Sequence, residues 1–263
     1  MKLHNQFYAS LLGVDINDFL HRPASDKDYN QLIRSTCQVN LEGKPPIVYI
    51  KDIGDVVEEL LPHLQNLRYS ASQRFNLGKG NKSILFGAVP SSINKSNHCT
   101  FGAVASHDSD LHKLLCTKYA AILQLLMADC LPCWSQVWKK LYELKPIHAD
   151  YRMEKSIWTS GIINYNSPHN YHYDEMNRAK MISAMLTFKD GIKGGHLCFP
   201  EYGLAFEVGN RSAIFFSGKE ILHGVTPMNI DKDGHRISIV YYTTDSLVKC
   251  GSQEEEIQKA LLK

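Results

Sequence analysis

Between Ile157 and Thr243 the chain breaks into short apolar runs separated by turn residues, and this rhythm constrains the fold more than any other feature. Ile157 to Tyr165 reads as a strand. In the next run Ile182, Ala184, Leu186 and Phe188 alternate with Met181, Ser183, Met185 and Thr187, the period of two that gives an extended segment two distinct faces. Asp190-Gly191 and Gly194-Gly195 punctuate a turn, and His196 to Phe199 read as a strand. Gly209-Asn210 turns into a strand over Ser212 to Phe216, and Ser217-Gly218 turns again. A last strand over His235 to Thr243 follows the Asp231 to Gly234 turn. Several short strands joined by Gly, Asn and Asp turns indicate an antiparallel sandwich or barrel such as a jelly roll.

Helical periodicity lies mostly earlier. Leu111, Leu114, Leu115, Ile122, Leu125 and Leu126 repeat at three and four residues behind an Asp/Ser cap, predicting a helix from Asp108 to Asp129. A second runs from Pro132 to Leu144 with Trp134, Val137, Trp138 and Leu141 on one face, and both are expected to buttress a sheet. Pro46 to Ile50 and Ile84 to Val89 read as strands, Pro90 to Asn97 as a loop, and residues 1–45 as irregular. Asp55 to Leu67 reads as a helix that Pro62 kinks or ends. Ser252 with Glu255 forms a capping box opening a short helix to Leu262.

The resulting fold class is α+β, with buttressing helices mostly from the N-terminal half. One domain over 1–263 is expected: a support region (1–150), a jelly-roll core (151–250) and a C-terminal helix (251–263).

The chemistry concentrates in His172-Tyr173-Asp174, with His223 far downstream in Leu222-His223-Gly224-Val225-Thr226-Pro227. Two imidazoles and one carboxylate on one face of a metal leave three positions open, which suits ferrous iron that must also hold a co-substrate and dioxygen. In an extended segment His172 and Asp174 point to the same side. His223 is expected on the opposite sheet of the sandwich. Arg236 and Ser238 share a face of the last strand, and a guanidinium fork beside a hydroxyl can take one carboxylate, naturally the far end of 2-oxoglutarate.

Composition excludes less. The 44% hydrophobic and 21% charged content is that of an ordinary globular chain, and a net charge of +2 makes no electrostatic case for nucleic acid by itself. Arg68, Arg74, Lys79 and Lys82 with Tyr69 and Phe75 form a basic, aromatic stretch that could follow a phosphate backbone, although its composition favours a solvated loop. No apolar run approaches the length of about 18 residues that spans a bilayer, and the N-terminus lacks an apolar signal core. An intracellular protein, cytoplasmic or nuclear and without a membrane partner, is expected. Seven scattered cysteines read as reduced thiols, and Cys130-Leu131-Pro132-Cys133 lacks the second pair a zinc site needs. His98, His107 and His112 have no ligand spacing and read as structural.

The segment from Thr159 to Tyr242 resembles the iron(II)- and 2-oxoglutarate-dependent dioxygenases. It is most similar to the TET/JBP-like branch that oxidises the C5-methyl group of pyrimidines in DNA. The resemblance rests on Ser160-Gly161-Ile162-Ile163-Asn164, on His172 to Asn177, on Gly194 to Gly203, on Leu222 to Pro227 and on Arg236-Ile237-Ser238. It implies a double-stranded β-helix of cupin type, with His172, Asp174 and His223 as catalytic iron ligands. It also implies that Arg236 and Ser238 hold 2-oxoglutarate, that Asn164 lines the co-substrate pocket, and that Asn177 lies beside the target base. Iron(II), 2-oxoglutarate and dioxygen are the implied cofactors, ascorbate a candidate reductant, and DNA the implied partner. The branch points to 5-methylcytosine or thymine as substrate. The alternatives are a 2-oxoglutarate-dependent hydroxylase of a protein side chain or small metabolite, like the prolyl hydroxylases, and a non-catalytic binding module. Residues 1–150 carry no motif of the branch, and the chain lacks both the cysteine-rich zinc region of the animal enzymes and an evident base-J-binding insert.

Overall fold

Alternation along Ser183–Gly194 becomes two different environments, because helices cover one face of this strand and a second sheet covers the other. The structure is a computed structural model that describes residues 5–71 and 82–262. In the larger, ten-stranded sheet the order is Gln6–Ala9, Cys37–Leu41, Ile47–Ile50, Ser212–Phe216, Ser183–Gly194, Met228–Tyr242, Ser160–Tyr165, Lys82–Val89 and Ser70–Ala71. Thr100–Phe101 pairs with Lys82–Val89 off this path. A smaller sheet of five strands runs Gln31–Ile33, Leu204–Phe206, Leu197–Phe199, His223–Val225, His169–His172.

On the outer face of the large sheet, Phe86, Leu186, Phe188, Ile237, Ile239 and Tyr241 share one core with Leu111, Leu115, Tyr119, Leu123, Met127 and Trp138 of the helices. Between the sheets, Tyr49 packs edge-on against Phe206 and Phe216 against Phe199. Ser183, Met185 and Thr187 lie on this inner side and are all buried. Polar residues buried between two sheets need partners, and those on this inner wall build the site.

The long helix from position 109 proceeds as Ser109–Leu114, a π-turn over Leu115–Tyr119, and Ala120–Cys130, with the Asp108 carboxylate accepting from the Leu111 N–H as its N-cap. Trp134–Leu144 follows as expected, and Gln253–Leu261 opens on the Ser252/Glu255 capping box. No helix among the described residues is long and apolar enough to cross a membrane.

Several expectations are corrected. The described part of residues 1–45 contains three strands, Gln6–Ala9, Gln31–Ile33 and Cys37–Leu41. Gln31–Ile33 pairs in parallel with Leu204–Phe206, a partner too distant for any local signal to reveal. The alternation of Cys37, Val39 and Leu41 with Gln38 and Asn40 is visible in the sequence. Asp55–Val57 is a separate 3₁₀ turn before the helix Leu60–Asn66, where Pro62 falls in the first turn and neither kinks nor ends it, since no N–H is needed there. Ser91–Asn94 forms a short helix inside the expected loop.

Asp190-Gly191 and Asp231 to Gly234 do not end strands. Ser183–Gly194 and Met228–Tyr242 run on as a ribbon whose register shifts between Asp190 and Ile192. Gly191, at φ 58°, packs against the Cα of Gly234 at that bulge, so glycine is required for the close approach rather than for a hairpin turn. The thiols also differ from expectation. Cys99 and Cys250 form a disulfide, their Cα atoms 6.0 Å apart, because the fold brings together segments 151 residues distant; Cys37, Cys116, Cys130, Cys133 and Cys198 are free.

Candidate metal centre

His172 and His223 lie directly opposite each other on neighbouring antiparallel strands of the small sheet, with ring centroids 4.4 Å apart. The expectation that His223 sits on the opposite sheet is therefore wrong. The chain between them visits both sheets before returning to pair with His169–His172, a route that a count of turns does not disclose. Each ring is held the same way: His172 Nδ1 is 2.8 Å from the Asn170 carbonyl and His223 Nδ1 is 2.9 Å from the Ile221 carbonyl. A carbonyl can only accept, so both Nδ1 atoms carry the proton and both Nε2 atoms present the lone pair that a metal needs.

Asp174 follows two residues after the strand end, its N–H donating to the Gly218 carbonyl at 2.8 Å. Its Oδ1 lies 3.5 Å from His172 Nε2 and its Oδ2 3.9 Å from His223 Nε2. The three ligand atoms all fall within 4.8 Å of one another, a spread that one ion can close. Asn177 is also here, but its Nδ2 donates to Asp174 Oδ2 at 3.2 Å and to Ser183 Oγ at 3.3 Å, so its visible bonds orient the carboxylate.

Gly218, which the sequence marks only as a turn, leaves the space that Asp174 occupies, since a Cβ there would overlap Asp174 Oδ2. Gly218→Ala is expected to push the carboxylate off the metal position and to weaken divalent-metal binding by about tenfold or more, measured by titration with Mn(II), while the protein still folds.

A second polar group lies deeper between the sheets. Arg236 is fully buried, and burial pushes its guanidinium down to about 10. Nη1 is 3.5 Å from Ser238 Oγ, whereas Nε and Nη2 have no hydrogen-bond partner among the described residues. Asn164, Ser238 and Thr187 stand in one row across three strands, and Asn164 Oδ1 and Thr187 Oγ1 also lack partners. A buried cation with two open donors is costly by itself. A carboxylate seated there would satisfy it, so the donor set fits the far end of 2-oxoglutarate. Thr187 is the residue that motif reasoning missed. Its signal is the alternation that puts it on the side of Met185.

One cavity of about 1000 Å³ touches His172, Asp174, His223 and Asn177 and, from the second group, Asn164 and Ser238, with Arg236 behind Ser238. Its walls are apolar near the ligands, through Ile162, Met185, Leu197 and Phe216. Of the basic stretch, Arg74, Phe75 and Lys79 lie outside the described residues. Tyr69 packs on Tyr165 with ring centroids 5.1 Å apart, and Lys82 opens a strand. His112 accepts from the Gly87 N–H at 3.3 Å, consistent with a structural role.

No family model and no curated protein matches the sequence. Solved structures do match, one of them over the whole chain. The protein described as "NgTET1 in complex with 5mC DNA" aligns with a TM-score of 0.67 at 15% identity, covering 100% of this chain and 93% of that one. The chain shares the fold of that TET protein. A 2OG-Fe(II) oxygenase-family oxidoreductase from Burkholderia pseudomallei aligns with a TM-score of 0.44 at 13% identity, over 76% of this chain and 85% of that one. For a Pseudomonas putida prolyl-4-hydroxylase the values are 0.42, 14%, 72% and 86%. The likeness to the TET protein extends over the N-terminal half, where no motif was legible.

Proposed function

We propose that this chain is an iron(II)- and 2-oxoglutarate-dependent dioxygenase that hydroxylates the C5-methyl group of a pyrimidine, 5-methylcytosine or thymine, in DNA. The observation that carries the enzyme class is the meeting of three ligating side chains around one cavity whose wall includes Ser238, the hydroxyl that the fully buried Arg236 faces with two of its other nitrogens unpaired among the described residues. His172, Asp174 and His223 would hold the iron, and Arg236 with Ser238, Asn164 and Thr187 the co-substrate. When bound, iron with 2-oxoglutarate and dioxygen supplies an oxidant strong enough to hydroxylate a C–H bond, releasing succinate and carbon dioxide. The chain's own part is geometric. The two backbone carbonyls keep the imidazoles aimed, Gly218 and Asn177 place the carboxylate, and the apolar walls keep water from the reacting centre. In this reading the chain is one domain, residues 151–250 form a double-stranded β-helix, and residues 1–150 support it.

Two observations support a base in DNA. The likeness over the whole chain is to a protein bound to 5mC DNA. The cavity is also at the upper end of the range for ligand pockets, about 300–1000 Å³, leaving room for a small diacid and a turned-out base together. Turning the base out of a duplex costs a few kcal/mol. Asn177, on the cavity wall next to Asp174, would border that base. The near-neutral charge of +2 favours instead a protein side chain or a metabolite.

The test is mass spectrometry of nucleosides from 5-methylcytosine and thymine DNA incubated with protein, iron(II), 2-oxoglutarate and ascorbate. A nucleoside heavier by one oxygen atom, formed in step with succinate, is expected. Succinate formation stimulated by a peptide or metabolite but never by DNA selects the other substrate class, and a protein that binds no iron is a binding module.

A further inference from the structure

The two histidine rings are held by similar contacts that end in different charges. The carbonyl that holds His223 belongs to the Ile221–Leu222 peptide group, whose N–H, on the Leu222 side, donates to Glu201 Oε2 at 2.9 Å. The carbonyl that holds His172 belongs to the Asn170–Tyr171 peptide group, whose N–H donates to a neutral acceptor, the Arg22 carbonyl, at 2.9 Å. Glu201 stands in the 3₁₀ turn Pro200–Tyr202, just after the strand Leu197–Phe199 that pairs with His223–Val225. Its side chain is 5% exposed, and its other oxygen, Oε1, is 3.2 Å from Lys44 Nζ. A carboxylate this deeply buried is kept only where something compensates it. Here Lys44 and the peptide N–H do so.

We propose that Glu201 is a positioning residue for the metal, acting on His223 through one peptide group. Rested on the dioxygenase reading above, this assigns the two imidazoles different donor strengths. The carboxylate draws on the peptide N–H, which makes the Ile221 carbonyl a stronger acceptor for the Nδ1 proton, because hydrogen bonds in series polarise one another. His223 Nε2 thereby becomes the more basic ligand, while His172 has no such charge behind it. The arrangement does what a carboxylate bonded directly to a metal-binding histidine does, with a peptide group interposed.

The experiment uses the full chain titrated with Co(II), followed by ligand-field absorption and by proton NMR of the exchangeable Nδ1 protons in the Co(II) form. Glu201→Gln keeps an acceptor oxygen for Leu222 but removes the charge. It is expected to lower Co(II) affinity by about tenfold, the low end for outer carboxylates because a peptide intervenes, and to move one Nδ1 resonance while the other stays. Lys44→Met leaves the carboxylate without its counter-ion and is expected to move the same resonance the opposite way with no loss of affinity. A Glu201→Gln protein that melts like the wild type, with wild-type affinity and both resonances in place, overturns the proposal. Should Glu201→Gln not fold, an unmoved resonance in Lys44→Met overturns it alone. Wild-type protein that takes up no Co(II) overturns the metal reading itself, and that result is seen before any Glu201 variant is made.

Discussion

Asp174→Ala will bind no ferrous iron and form no succinate at any substrate concentration, while remaining folded. The loss is complete because Asp174 is the only anion among the three ligands, and two neutral imidazoles on adjacent strands hold a hard divalent ion poorly. The fold should survive. The Asp174 N–H still meets the Gly218 carbonyl, and the Asn177 amide keeps Ser183 as a partner. Anaerobic iron titration, succinate measured by NMR and a thermal melt check the three parts. Turnover by a folded, iron-free Asp174→Ala protein would remove the basis for the oxygenase reading.

The ligands were legible because their chemistry is local in part. His172 and Asp174 lie two apart, and only a few residue types ligate iron. The position of His223 was not legible, since its neighbour across the sheet is decided by two sheets closing on each other. Turn signals were read too literally for the same reason. Gly191 and Gly234 are glycines because two backbones cross closely in a bulged ribbon, and the sequence cannot tell that crossing from a hairpin. The helix buttress was plain, since a stripe of leucines at three and four residues has one physical use. Glu201 lies in the Gly194 to Gly203 stretch that carries the resemblance, but nothing in that stretch showed what its side chain does. An acid in a Pro-Glu-Tyr-Gly turn looks solvated until the fold buries it against the Leu222 N–H.

Arg236→Met separates the two things a buried, half-satisfied guanidinium does. Without an acid beside it, wild-type Arg236 keeps two nitrogens unpaired among the described residues, so an apolar replacement of similar length should leave the free protein as stable as wild type or more so, by about 1–4 kcal/mol. With 2-oxoglutarate the order reverses. Saturation at about 100 times its dissociation constant stabilises the native state by about 2.7 kcal/mol, which at roughly 2–4 °C per kcal/mol for a chain near this size is a rise in Tm of about 5–10 °C. Arg236→Met should show a rise of no more than about 1–2 °C at that concentration. Two charge-assisted hydrogen bonds at about 1.5–3 kcal/mol each correspond to a loss of co-substrate affinity between roughly a hundredfold and ten-thousandfold. The metal ligands are untouched, so Mn(II) should bind the variant as it binds the wild type. A variant that keeps the 2-oxoglutarate-induced rise would mean that the acid sits elsewhere in the cavity and that the unpaired donors of Arg236 have another partner.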